Sequence, residues 1–220
     1  MLPTVPPRRA VRRILRAAKR PRRRVRLDND SRRAQLLTLA RKAFSDRAYD
    51  DVSIDDLARE AKISKGLLYH YFPTKRDLYV GGLTEIANEL LKRMMSVPDD
   101  LAPIERVRAG LDAYLDHISQ HSRAFVSLMR GGIGSDPEVA QVIEGVRAKL
   151  FERFLQRSPF APALHDDPTI TIGIRGWMGF VEGASISWCA DPRLTRAELR
   201  ELLTKILFEI MKVVAPTLVR

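Results

Sequence analysis

Three helix-capping residues, Ser53, Ser64 and Thr74, punctuate residues 52–78 so closely that only two short helices fit between them. Ser53 stands three residues before Asp56, a near-match to the capping box in which side chains satisfy the orphan N–H groups of a first turn. It starts a helix at Ile54 that turns Leu57 and Ala58 inward. Lys62 and Ile63 make a tight turn, and Ser64 caps the next helix, Lys65 to Tyr71. Pro73 bars continuation, because proline lacks an N–H and clashes with the preceding turn. Thr74, with Asp77 near its positive end, opens a longer helix through Leu78, Leu83, Ile86, Leu90 and Met94 that stops at Pro98. Upstream, Leu36, Leu39, Ala40, Ala43 and Phe44 fall on one helical face and predict a first helix from about Ser31 to Asp46.

Beyond Pro98 every segment reads as helical, with no strand-like alternation. Asp136 and Pro137 start a helix with Val139, Val142, Val146, Leu150 and Phe154 on one face. Asp167 and Pro168 start another, with Ile174, Trp177, Met178, Val181 and Trp188. Thr195 and Glu198 form a full capping box for the last, whose stripe from Leu199 to Val214 is wide. The fold class is therefore all-α: an N-terminal three-helix unit with a helix-turn-helix, followed by a larger helical domain.

Charge divides the chain differently. Of a net charge of +11, residues 1–30 hold +9, residues 31–80 hold +3 and residues 81–220 hold −1, so a polyanion should meet the N-terminal end. Residues 1–30 combine four prolines with an arginine run and few large apolar groups, which cannot repay the entropy of ordering. They read as a disordered basic arm. Such an arm clamps phosphates or a groove; a solvated tail, a stretch upstream of the true start and an arginine-rich transit peptide are the alternatives. The lone Cys189 allows no intrachain disulfide, which fits a reducing cytoplasm. No apolar run is long enough to span a membrane, so no membrane partner is expected.

The stretch VSIDDLAREAKISKGLLYHYFPTKRDL, residues 52–78, resembles the TetR-family helix-turn-helix in its cap, short apolar helix, turn, Ser-Lys-Gly, Tyr-x-Tyr-Phe and Lys-x-x-Leu. The likeness extends over about residues 32–90. Lys62 departs from it, standing where the family usually has a turn glycine. The resemblance implies a DNA-binding domain over residues 31–80 and an effector-binding and dimerisation domain over 81–220. In it the helix from Ser64 enters the major groove, where Lys65 donates to guanine O6 or N7, Gly66 permits close approach and Leu67 touches a thymine methyl. Tyr69, His70, Tyr71 and Lys75 contact phosphate, and Ser53 and Ser64 offer backbone N–H groups at helix starts. Leu57, Ala58, Leu68 and Phe72 are read as core.

One short recognition helix reads few base pairs, so the resemblance further implies a homodimer on a palindromic double-stranded operator. The helices at about 168–190 and 195–213 would form its interface, with Gly173, Gly176, Gly179 and Gly183 allowing close approach. A small apolar or aromatic effector would occupy a pocket drawn from Met94, Tyr114, Phe125, Met129, Phe151, Trp177 and Phe180, with His121 or Arg130 as polar anchors. The expected function is a transcriptional regulator, a repressor by the family's habit, cytoplasmic and nucleoid-associated when bound to DNA. Gly81 and Gly82 read equally as an interdomain flexible point or as close packing against the first helix.

Other chemistries lack a site. His117 and His121 have the spacing of a two-histidine metal site, but no HExxH or cysteine supports it, so no metal or cofactor is expected. RGGIGSD, residues 130–136, lacks the downstream GK[ST] of a phosphate loop. There is no GxSxG and no Gly-rich strand-to-helix loop, so an enzyme is not expected. A nonspecific architectural DNA binder is the remaining rival, since the arm's charge alone would serve it.

Overall fold

The computed structural model describes residues 29–130, 135–157 and 167–216, in which nine α-helices and no strands occur. They are α1 (Asn29–Asp46), α2 (Ile54–Glu60), α3 (Lys65–Tyr71), α4 (Lys75–Met95), α5 (Pro103–Gln120), α6 (Ser122–Arg130), α7 (Pro137–Arg157), α8 (Pro168–Ala190) and α9 (Arg196–Val214). Nearly all of the basic arm lies outside the described residues, as does the middle of the RGGIGSD turn. α1 begins at Asn29, slightly ahead of the expected Ser31, with Asp30 in its first turn opposing the helix dipole.

The caps act as the sequence suggests. Ser53 accepts from the Asp56 N–H and Ser64 from the Leu67 N–H, while Thr74 and Asp77 close a full capping box, as do Thr195 and Glu198. Lys62 sits at φ 55°, in the left-handed region that glycine enters without strain. The turn keeps its shape despite the lysine.

α1 lies along α4, and glycine sets their separation. A Cβ at Gly82 would lie 3.1–3.2 Å from the backbone and Cβ of Ala40, and one at Gly81 would run into Leu37. Of the two readings of this glycine pair, close packing is the one realised. The N-terminal core gathers Leu36, Phe44, Leu57, Leu68, Phe72 and Leu78, each at most 3% exposed. Val139 of α7 is buried in the same cluster, and Leu128, Val142 and Ile143 pack against it. The boundary expected at residue 80 therefore falls inside α4, and α7 closes the core of the N-terminal unit.

A guanidinium reinforces that junction. Arg76, in the first turn of α4, reaches Asp136 with Nε at 2.5 Å and Nη2 at 2.7 Å, and Glu138 at 3.1 Å. Asp136 also accepts from the Glu138 and Val139 N–H groups that begin α7. Arg76, then those backbone N–H groups, hold its carboxyl below the usual range.

The second core, between α5, α8 and α9, is built on Leu115, Trp177, Leu203 and Leu207. Trp177 Nε1 donates to the Leu203 carbonyl at 3.0 Å, which satisfies the one polar atom of a large buried ring. On α8 the residues Ile170, Ile174, Trp177, Val181 and Ser185 face inward. The opposite stripe, Ile172, Gly176, Gly179, Phe180 and Gly183, faces outward at the same helical period.

Candidate nucleic-acid interface

α3 is seven residues long and held at both ends: Ser64 caps its start, and Leu68 and the following Phe72 anchor it in the core. That anchoring leaves Lys65, Gly66, Leu67, Tyr69 and His70 exposed on one short, fixed rod. Leu67 and Tyr69 are 39% and 36% exposed on this rod, so a partner that covered them would gain the free energy of removing their apolar area from water. A Cβ added at Gly66 would meet nothing within 4 Å. Packing within the chain does not require that glycine.

The other proposed phosphate contacts take distinct positions. Lys75 lies with Nζ 4.5 Å from the centre of the Tyr49 ring and 3.5 Å from the Asp50 carbonyl, beside the start of α4. Tyr49 in turn packs against Tyr79 with ring centroids 5.0 Å apart, and Tyr79 meets Phe44 edge-on at 4.9 Å. Burial, then the neighbouring Tyr49, pushes Tyr79 up to about 12; it stays a neutral packing residue. Tyr71 spends its hydroxyl proton on Asn29 Oδ1 at 3.1 Å, tying α3 to the start of α1. His70 meets Tyr71 edge-on.

Lys65 is not free in solution. Its ammonium lies 3.0 Å from Asp55 Oδ2, on the first turn of α2, and the hydrogen bond and charge of Asp55 raise its pKa. Sequence reasoning passes over Asp55, because an acid there looks like ordinary dipole compensation at a helix start. Its neighbour Asp56 does stay within α2, pairing with Arg59.

The residues assigned to an effector divide. Met94, Tyr114, Phe125 and Trp177 come together in the second core. The Tyr114 hydroxyl is buried there beside Ser185, and burial pushes it far above its ordinary value, with Ser185 pulling the other way. Phe151 belongs instead to a third cluster with Leu155, Ile170 and Ile174, capped by the Arg175 guanidinium. Met129 is half-buried on α6. Arg130, at the end of α6, is exposed, and Phe180 is 43% exposed on the outward stripe of α8. Helical phase separates Phe180 from the buried centre of α8, so it does not line the space around Trp177. His121 borders a groove formed largely by α1, with Nδ1 3.5 Å from Asp46.

His117, one turn before His121, is 4% exposed, and the two rings lie 5.4 Å apart. Burial, with His121 and Arg93 adding to it, lowers His117 to about 4, so it is neutral near pH 7. Among the described residues no three His, Cys, Asp or Glu side chains gather to hold a metal. Unfolding frees this imidazole to take up a proton at its ordinary 6.5. Stability should therefore fall as pH drops from about 6.5 towards about 4, by up to about 1.4 kcal/mol per unit, and be insensitive to this group above that window. Urea titrations at pH 7 and pH 5 test this, with His117→Gln expected to remove that part of the slope.

Residues 36–80 match the family described as "Bacterial regulatory proteins, tetR family", and residues 103–210 match a "Tetracyclin repressor-like, C-terminal domain". A tetR-family transcriptional regulator from Streptomyces coelicolor superposes with a TM-score of 0.78 at 30% identity, over 87% of this chain and 85% of that one. The chain belongs to the TetR family. As a TetR-family protein it is a DNA-binding transcriptional regulator. It is similar to the HTH-type transcriptional activator FasR of Mycolicibacterium smegmatis, 31% identical over 137 residues, 59% of this chain and 61% of that one. It is also similar to EthR of Mycobacterium tuberculosis, 27% identical over 141 residues, 63% and 61% respectively. The match thus spans about three fifths of the length of these two TetR-family relatives. Among the described residues no helix is long and apolar enough to cross a membrane.

Proposed function

We propose that this chain is a homodimeric regulator that sets α3 into successive major grooves of a palindromic operator, residues 31–80 serving as the DNA-binding domain and 81–220 as the effector and dimerisation domain. The observation that carries the reading is the exposed face of α3, Lys65 to His70, fixed from below by Leu68. In that placement Lys65, Gly66 and Leu67 meet base edges, while Tyr69, His70 and Lys75 reach phosphate or sugar; Tyr71 joins them only by giving up its hydrogen bond to Asn29. The Ser53 and Ser64 hydroxyls accept within their own helices and keep a proton to donate to phosphate. The regulator works in the cytoplasm, where its operator lies.

Dimerisation is supported by the outward stripe of α8 and by Leu202 and Val213 of α9, which are 42% and 79% exposed. Gly176, Gly179 and Gly183 have open space before them, whereas Gly173 is already filled against Val214 and Ile210 of its own chain. The first three suit close approach by a second copy. An apolar or aromatic effector enters the second core at Met94, Tyr114, Phe125 and Trp177, with Tyr114 and Ser185 as its polar end, and displaces α4. Since α4 is joined to α7 through Arg76 and Asp136, such a shift changes the spacing of the two recognition helices and releases DNA.

Selection of bound duplexes from a random pool should return a palindrome. Lys65→Ala should then change base preference, whereas Lys75→Ala should weaken all sites alike and lower the salt slope by about one. Equal effects from the two would defeat this division of labour. The chain represses where its operator overlaps a promoter, so deleting it should raise reporter expression; a fall would give it the sign carried in the name of its relative FasR.

A further inference from the structure

The Lys65–Asp55 pair stands at the leading edge of the exposed face of α3, on two different helices, and both side chains remain half or more exposed, 50% and 61%. An ammonium has three N–H donors, of which Asp55 occupies one. Two are left for a partner. Asp55 Oδ2, 3.0 Å from the ammonium nitrogen, keeps a lone pair beyond the one that accepts from Lys65, so the pair presents two donors followed by one acceptor a hydrogen-bond length away.

That order matches one kind of base pair. In the major groove a G·C pair shows two acceptors, guanine N7 and O6, followed by the N4 amino donor of cytosine. An A·T pair alternates acceptor, donor, acceptor and then presents a methyl group, which leaves one ammonium N–H facing an amino group. O6 and N4 of G·C are hydrogen-bonded to each other, so they lie at the same short separation as the ammonium and the carboxylate. We infer that Asp55 and Lys65 read a single G·C base pair together, Lys65 donating to guanine and Asp55 accepting from cytosine N4. This rests on the placement of α3 in the major groove. Asp55 is then a specificity-determining residue that also disfavours loose binding, since its carboxylate faces the thymine O4 acceptor where the cytosine amino donor is missing. Gly66, with open space before it, lets the pair approach the groove floor.

The test is selection from a random duplex pool with the full chain and its Asp55→Ala, Lys65→Ala and double variants, followed by titration of the selected duplex and of one with that G·C pair changed to A·T. The original chain should prefer G·C at one position of each half-site by about tenfold or more. Asp55→Ala should relax that position alone and raise affinity for mixed-sequence DNA a few-fold. Lys65→Ala should relax the same position, and the double variant should relax it no further, as for groups that act as one unit. Asp56→Ala, whose carboxylate pairs within α2, should leave every preference in place. The inference is overturned if Asp55→Ala keeps the preference, relaxes all positions alike, or relaxes a position that Lys65→Ala does not touch. A pool that yields no motif even for the original chain instead removes the major-groove placement of α3, and this inference with it.

Discussion

Carboxylates introduced at Ile172 and Phe180 are expected to leave a folded monomer that has lost about three orders of magnitude in operator affinity. Both side chains lie on the outward stripe of α8, 72% and 43% exposed, so in a lone chain an aspartate at either position meets water. In a twofold interface each would be buried opposite its own copy, and a buried unpaired charge costs several kcal/mol. A symmetric interface doubles the insult, because every substitution appears twice. The loss in affinity follows from reading one half-site in place of two, as specific binding exceeds nonspecific binding by roughly 10³ or more. Sedimentation equilibrium should report the mass of one chain, with a melting curve still showing a cooperative fold. A dimer of unchanged mass would place the interface elsewhere.

Phe44→Ala is expected to destabilise the N-terminal unit by about 3–5 kcal/mol, the range for emptying a large aromatic site in a packed core. Phe44 is 2% exposed and holds Tyr79 edge-on, and Tyr79 holds Tyr49, beneath the Lys75 ammonium. The cavity would therefore do two things: remove buried area beneath α1 and loosen the aromatic platform that positions a proposed phosphate contact. Total stabilities of domains are about 5–15 kcal/mol, so the urea midpoint should fall sharply and DNA binding should weaken on all sequences together. Phe44→Leu, which keeps most of the volume, should cost under about half as much. If Phe44→Ala leaves the midpoint within experimental scatter, the core drawn around it is not what holds α1.

Much of the fold could be read along the chain because its signals are local. A cap is a contact between residues three apart, so Ser53, Ser64, Thr74 and Thr195 announce their helices without knowledge of anything distant. The inward positions Leu57, Leu68 and Phe72 follow from helical period and a core to face. The exposed face of α3 was legible for the same reason, since what is not inward on a seven-residue helix is outward. Phe180 shows the limit: the sequence reads it as pocket lining, and only the packing of α8 against its neighbours leaves it 43% exposed on the outward stripe. The glycine pair at 81 and 82 was equally open until α1 was seen lying against it.

By itself the sequence determined that this chain is helical, where its short helices start and stop, and which residues α3 turns outward, because each of these depends on interactions within one or two turns. Only the tertiary structure decided that Val139 closes the N-terminal core, that Arg76 clasps Asp136 across 60 residues, and that Lys65 is held by Asp55. Those contacts join elements far apart in the chain, and their geometry is set by how whole helices pack, which no local pattern of residues encodes.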